Sequence, residues 1–515
     1  MTTPAQGLIV KHWNLAGSTA VIALMSGTSA FADITPEQVW QSWQDMSTAT
    51  GQNMTAASAT RNGDTLVVEG LTMKADQDGF VMKSTIDKVN FRDKGDGSVE
   101  ITMSDSYPMN LTLPAKIGDG NSTPTNLTIS IAQPGMMMSA SGTPDATSYV
   151  YASPSVTVKL DAIEGVDAAK VDATVEATLT NVKGNYLLGG DATARKVTSE
   201  FSIAGMALAI IANDAANNSD VRITANVADI KGGSDSTLLA SESMANLAKA
   251  LADGMKIKGM FSHGAVDFDI SANDSGKPTT LKGSAKGGGL SLDMAASQFS
   301  YGVNSTGVAL EISSPEIPLP EVKVNYDETL FSMMMPVGKT TGPADAALTM
   351  RIVGLSVSDA IWGLVDPTSV LPHDPATVVI DTKGTVTMTS NLFDEAEMAA
   401  LGEAPPGQIN SLDLLELKAS AAGAELTGSG ALTFDNSDTT TFQGMPTPSG
   451  ALDFKVIGAN GLLDKLKTMG LIGDDELMGA RMMMGMFANA TGEDELSSKV
   501  EFKNKGLFVN GQQMQ

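Results

Sequence analysis

Gly338-Lys339-Thr340 has the tail of a phosphate-binding loop, yet Met333 stands where such a loop needs its first glycine. Without that glycine the backbone cradle for phosphate is missing, and the segment reads as a loop after Pro336. Downstream of the N-terminal leader the histidines are His263 and His373. Neither has a second histidine four residues on, the spacing that zinc hydrolases use. Asp76-Gln77-Asp78-Gly79 opens like a calcium loop, but Asp87 occupies the place of the bidentate glutamate. Asp and Gly in that order make a hairpin turn instead. The nucleophile pattern G-x-S-x-G and the dinucleotide pattern G-x-G-x-x-G are absent. Among 59 Asp and Glu residues, spacing selects no carboxylate pair. This reading expects no catalytic residue, no metal site and no cofactor.

Methionine is the unusual element of the composition, with 30 residues against 15 Phe, 6 Tyr and 4 Trp. Met136-Met137-Met138 and Met333-Met334-Met335 read as strand segments, whose successive side chains point to opposite faces and so cannot chelate one ion. Met478, Met482 and Met486 fall at i, i+4 and i+8 of a helix, a soft sulfur stripe that could hold cuprous ion. A pliable helix–sheet core, or a greasy groove that adapts to acyl chains, accounts better for such residues. Met333, Met335, Met478, Met482, Met486 and Trp362 are therefore the expected apolar ligand or core contacts.

The elements that must position these residues are mostly strands. Val99, Ile101 and Met103 alternate with polar residues; so do Met109, Leu111 and Leu113, then Val175, Ala177 and Leu179. Val221, Ile223 and Val227, Val266, Phe268 and Ile270, and Val308, Leu310 and Ile312 repeat the pattern. Period-two alternation predicts strands with one wet and one dry face, and its cleanness argues for antiparallel pairing. Asn62-Gly63, Gly95-Asp96-Gly97, Gly118-Asp119-Gly120 and Asn504-Lys505-Gly506 supply turns. Thr35 as N-cap, Pro36 at the first helical position and Gln38 at the third predict a helix near 36–50. Its stripe of Val39, Trp40, Trp43 and Met46 would dock on a sheet. Further helices are predicted near 237–253, 358–365, 461–469 and 474–489. The expected fold is mainly β: long antiparallel, curved or stacked sheets with an N-terminal helix and a few short interrupting helices. It divides into β-rich halves over 33–254 and 255–515, and no repeat of fixed period is apparent. Aromatic content of 5% and the interrupting helices disfavour an outer-membrane barrel.

Lys11-His12, an apolar run from Leu15 to Met25 and the Ala30-Phe31-Ala32 site read as a signal peptide over 1–32, cleaved after Ala32. The run is too short for a spanning helix, and no later stretch is long and apolar enough for one. The absence of cysteine excludes a lipoprotein anchor and disulfides. A net charge of −26, more negative still without Lys11, excludes nucleic acid as a partner. A periplasmic location follows as the expectation.

From Leu330 to Val386 the wording becomes specific: Phe331-Ser332-Met333-Met334-Met335-Pro336, Leu355-Ser356-Val357-Ser358-Asp359-Ala360-Ile361-Trp362, then Asp366-Pro367-Thr368-Ser369-Val370-Leu371-Pro372-His373-Asp374-Pro375-Ala376 and a strand from Thr377 to Thr382. With Gly450-Ala451-Leu452-Asp453-Phe454 and Gly461-Leu462-Leu463-Asp464-Lys465-Leu466, this resembles an uncharacterised alphaproteobacterial family, the domain of unknown function numbered 2125. The resemblance covers about the last third of the chain. It implies an exported envelope protein and transfers no catalytic residue.

Three functions are compatible with these residues. First is a non-enzymatic envelope protein whose apolar groove binds lipid or another envelope component. Second is a structural or partner-binding protein without a small ligand. Third is a hydrolase built on His263 or His373.

Overall fold

One-sided strands satisfy their backbones only by pairing with one another, and here they do so in a single sheet. The computed structural model describes residues 33–49, 52–77, 79–114, 124–165, 172–190, 193–214, 217–239, 246–319 and 321–514. The leader expected over 1–32 and the turn expected at Gly118–Gly120 lie outside the described residues. Every strand pair is antiparallel, and together the strands make one 27-stranded sheet. The short strands β1 (Asn53–Thr55) and β2 (Ser58–Asn62) share one edge of β3 (Thr65–Gln77), which pairs with β4 (Phe80–Asp93). The far edge of β4 is divided between β5 (Ser98–Met103) and β6 (Ser106–Leu113). Next, β7 (Thr125–Ala132) pairs with β6 and β8 (Met137–Thr143) with β5, and the long β9 (Ala146–Glu164) takes both. Long hairpins follow through β10 (Asp172–Gly190), β11 (Ala194–Asp214) and β12 (Ser219–Leu239).

The divided pattern then recurs. The edge of β12 is shared by β13 (Lys256–His263) and β14 (Val266–Asp274); β15 (Lys277–Ala285) pairs with β14 and β16 (Gly287–Ala295) with β13. The long β17 (Gln298–Ser313) again collects both. The run from β4 to β9 and that from β12 to β17 thus have the same topology. It is a repeat of connectivity without a repeat of spacing, one that the sequence alone does not announce. Beyond it the sheet is a meander of β18 (Val322–Met335), β19 (Ala344–Val357), β20 (Ala376–Met388), β21 (Gly407–Ala421), β22 (Ala424–Asp435) and β23 (Thr447–Ile457). It closes with β24 (Asn489–Gly492), β25 (Glu495–Lys503), β26 (Gly506–Val509) and β27 (Gln512–Gln513). Short strands at both edges limit further edge-to-edge pairing.

A crease crosses the sheet at right angles to its strands. On β3, β10, β12, β17 and β19 one residue leaves the pleat for the left-handed region: Gly70, Asn181, Asp229, Gly307 and Gly354. The registers align them, Asn181 across Ala204 from Asp229 and Gly307 across Asp327 from Gly354. The joints between β5 and β6, β7 and β8, β13 and β14, and β15 and β16 fall on the same line. Asn, Asp and Gly tolerate this backbone best. At each crossing the apolar alternation changes phase: Val175, Ala177 and Leu179 precede Asn181, and Val182, Tyr186 and Leu188 follow it. A residue out of the pleat shifts side-chain alternation by one, and the phase change cancels that shift. Apolar residues therefore stay together on one face of the sheet on both sides of the crease.

Helices cover parts of that face. The first, α1 (Pro36–Ala49), has the expected capping box, with Gln38 and Thr35 bonded reciprocally. It seats Val39 and Trp40 on Leu66, Val68, Val89, Phe91 and Tyr149, and Trp43 meets the Phe91 ring edge-on at 5.1 Å. The helix expected over Thr237–Asp253 is confined to α2 (Leu247–Ala252), capped by the Asn246 side chain. Thr237, Leu238 and Leu239 instead extend β12, paired with Lys196, Arg195 and Ala194, and 240–245 lie outside the described residues. Ala250, Leu251 and Met255 pack with Ile257, Met294 and Phe393. The short helices α3 (Asp359–Val365), α5 (Ala459–Thr468) and α6 (Asp474–Phe487) lie where expected, while α4 (Glu395–Leu401), capped by Asp394, was not foreseen. No described helix is long and apolar enough to cross a membrane.

The solvent-accessible surface is 30466 Å², whereas a compact chain of this mass would expose roughly 17,800 Å². Val150 and Met260 on one face of the sheet, and Leu290 and Val303 on the other, are each more than a third exposed. Much of the sheet therefore presents both faces to solvent.

Candidate functional site

Strands β9 to β13, β16 and β17 lie side by side, and a trough of about 960 Å³ runs across them. Seven strands at the usual spacing give it a length of roughly 29 Å. Most of its lining side chains belong to the polar face. Three in-register rows define it. One runs Ala152, Lys183, Ser202, Lys231, Ser262, Gly289 and Asn304. The middle row holds Val150, Asn185, Glu200, Gly233, Met260 and Ser291. The third has Thr198, Asp235, Lys258, Asp293 and Ser300. Small side chains within these rows, Ser202 and Ser262 in the first and Gly233 and Ser291 in the middle one, keep the floor low. Val150 and the 66%-exposed Met260 give it apolar walls, together with the methylene stems of the lysines.

The floor is stiffened from behind. Tyr151 and Phe201, on the apolar face, lie over Gly184 and Gly232 so closely that a Cβ at either glycine would overlap the ring. An aromatic that covers a cross-strand glycine restores the packing the glycine lacks. Phe268 over Gly283 and Phe454 over Gly428 repeat the device.

Charges in the trough are unpaired. Lys183, Lys231 and Lys258, with Glu200, Asp235 and Asp293, line it without an ion pair among the described residues. Elsewhere in the sheet Lys282, Lys323, Arg351, Lys383, Lys418 and Lys455 are matched to carboxylates, mostly across strands.

The residues singled out in the sequence lie elsewhere. Met333 and Met335 sit half-buried on the apolar face of β18, opposite Tyr301 and Phe299. Met478, Met482 and Met486 lie exposed on α6, so the stripe forms no helix–sheet core. Trp362 stacks on His373, with ring centroids 4.2 Å apart, at the corner between β19 and β20. There the buried Asp366 carboxylate accepts the backbone N–H groups of Val370 and Leu371, at 3.0 and 2.7 Å, closing the Pro-rich turn. Burial alone would raise its pKa, but those two N–H groups and His373 outweigh it and hold the carboxyl below its usual value. His263 folds onto its own strand, its Nδ1 2.9 Å from the Gly264 carbonyl oxygen. Neither histidine faces the trough. Lys339, from the abortive phosphate loop, pairs with Glu397 at 2.7 Å. Among the described residues no cluster of His, Asp and Glu could hold a metal. Sequence reasoning missed Lys183, Ser202, Lys231 and Met260; the available signal was the Gly232-Gly233 and Gly287-Gly288-Gly289 runs inside strand patterns, which mark close approach or low floors.

On the opposite face an in-register strip of Phe261, Leu290, Val303, Phe331 and Met350 crosses five strands. Four of its members are more than a third exposed. The chain matches no protein family, no curated protein and no solved structure at a significant level.

Proposed function

We propose that this is an exported envelope protein without enzymatic activity, which binds an elongated amphiphile such as a lipid. The observation that carries this reading is the trough: its volume falls in the range of ligand sites. Its length of roughly 29 Å exceeds the roughly 15 Å that one acyl chain spans in a bilayer leaflet. The periplasmic location rests on the leader and the resemblance noted above. Because Ser291 is exposed on the trough side of β16, Ser291→Trp should occupy the floor with little cost to the sheet. Co-purifying lipid, read by mass spectrometry, should fall by about tenfold or more. A same-face control, Thr349→Trp on β19, lies outside the trough and should leave it unchanged. Equal lipid content in both variants would sink the proposal. The exposed apolar strip supports a second reading, a protein-binding surface, since contiguous apolar patches of this kind mark partner sites.

A further inference from the structure

The trough's three rows differ in charge. In the row nearest the crease, Lys183, Ser202 and Lys231 are direct partners on β10, β11 and β12, and the row contains no acid from Ala152 to Asn304. Two strand spacings separate the lysine Cα atoms, roughly 10 Å, which leaves room for one oxyanion between the ammonium groups and above the serine hydroxyl. None of the three side chains has a hydrogen bond or ion pair among the described residues. Glu200 lies diagonal to both lysines and Asp229 stands two residues before Lys231, and among the described residues neither acid bonds a lysine of the row. The third row reverses the balance, with Asp235 and Asp293 flanking Lys258. Among the described residues Lys159, Lys183, Arg195, Lys196, Arg222, Lys231, Lys256 and Lys258 on β9–β13 form no ion pair, and neither do Lys83 and Lys88 on β4.

We propose that the Lys183–Ser202–Lys231 row is an oxyanion site that receives a phosphate-type headgroup, the alkyl portion of the same ligand lying over Gly233, Met260 and Ser291, away from Asn185 and Glu200 in the same middle row. This rests on the amphiphile reading of the trough and narrows it to anionic members. Long-range repulsion by the acidic chain does not oppose it, because screening confines such fields to about 8 Å at physiological salt, and the local row is cationic. A lysine pair supplies charge-assisted donors that rotate to fit a tetrahedral oxyanion, and Ser202 adds a neutral donor.

Calorimetric titration of the purified chain with dodecyl phosphate, dodecyl maltoside and inorganic phosphate separates the possibilities. The site predicts dodecyl phosphate binding about tenfold or more tighter than dodecyl maltoside. Lys183→Gln with Lys231→Gln should abolish that preference, while Lys282→Gln with Lys323→Gln, which removes the same charge from ion-paired positions, should keep it. If the first pair fails to fold by circular dichroism, Lys183→Arg with Lys231→Arg should retain the preference and Ser202→Ala should weaken it. Equal binding of the two amphiphiles, or a preference indifferent to the lysines, overturns the oxyanion site and leaves the amphiphile reading standing. Lysine-dependent binding of inorganic phosphate with no binding of either dodecyl compound supports the oxyanion site and overturns the amphiphile reading. Absence of all binding overturns both.

Discussion

Asn181 is the position where the crease and ordinary strand propensity disagree in sign. It lies near the middle of β10, exposed, with φ +50°. A regular exposed strand site should accept valine with a gain, on a scale that spans about 1 kcal/mol. A left-handed site should reject it, because that backbone costs an L-residue about 1–2 kcal/mol and a β-branched residue is the worst placed to adopt it. Little packing is lost, since the side chain is exposed, so the backbone term decides the outcome. Asn181→Val should destabilise by about 1–2 kcal/mol, whereas Asn181→Gly should stay within about 0.5 kcal/mol of the parent, strain relief offsetting the freer unfolded chain. Urea unfolding followed by far-UV circular dichroism reads the midpoint. A sheet this long need not unfold in one step, so hydrogen exchange of the β10 and β11 amides localises the effect. A valine variant as stable as the parent, or more so, would refute the crease as the cause of the asparagine.

The joint between β13 and β14 offers the converse case: Ala265 is exposed on the same line without a left-handed φ, so Ala265→Val should change stability by no more than about 0.5 kcal/mol in the same assay. Gly232→Ala should cost about 1–3 kcal/mol through overlap with the Phe201 ring, and adding Phe201→Leu should recover part of it, a coupling that a double-mutant cycle measures. Asp366 has its pKa lowered in the folded state, so its contribution is complete above the usual carboxylate range near about pH 4 and is lost as pH falls through the lowered value. Asp366→Asn should therefore flatten the acid limb of the stability–pH curve while lowering stability at neutral pH; an unchanged acid limb would count against that assignment.

The strand content was legible because antiparallel strands with one wet face advertise themselves residue by residue. The α1 cap was legible for the same reason: Thr35, Pro36 and Gln38 act over one turn. The end of β12 was not, since Thr237 to Leu239 carry apolar residues compatible with either period and only pairing with β11 decides between them. The trough was invisible for a stronger reason. Lys183 and Lys231 are 48 residues apart and meet only through Ser202 on the intervening strand, a register that no local pattern encodes. The methionines drew attention by type, yet type does not say which face of the sheet, or which end of the chain, a residue occupies.

The crease also explains why the two divided modules look alike without sharing a sequence. Five of the continuous strands crossing that line place one residue in the left-handed region, where a tolerant residue stands: Gly70, Asn181, Asp229, Gly307 and Gly354; the strands between them, β4, β9, β11 and β18, cross it without one. Elsewhere a strand meets the line by ending and letting another begin. The joints after β5, β7, β13 and β15 do this, at 104–105, 133–136, 264–265 and 286. Kink and joint are thus two of the ways in which strands meet this line, and the two modules place their joints at corresponding strands. The trough lies beside the crease, where Gly264, Gly287 and Gly288 let neighbouring backbones approach. The line of left-handed residues thereby also borders the first row of the trough, the one that carries Lys183, Ser202 and Lys231.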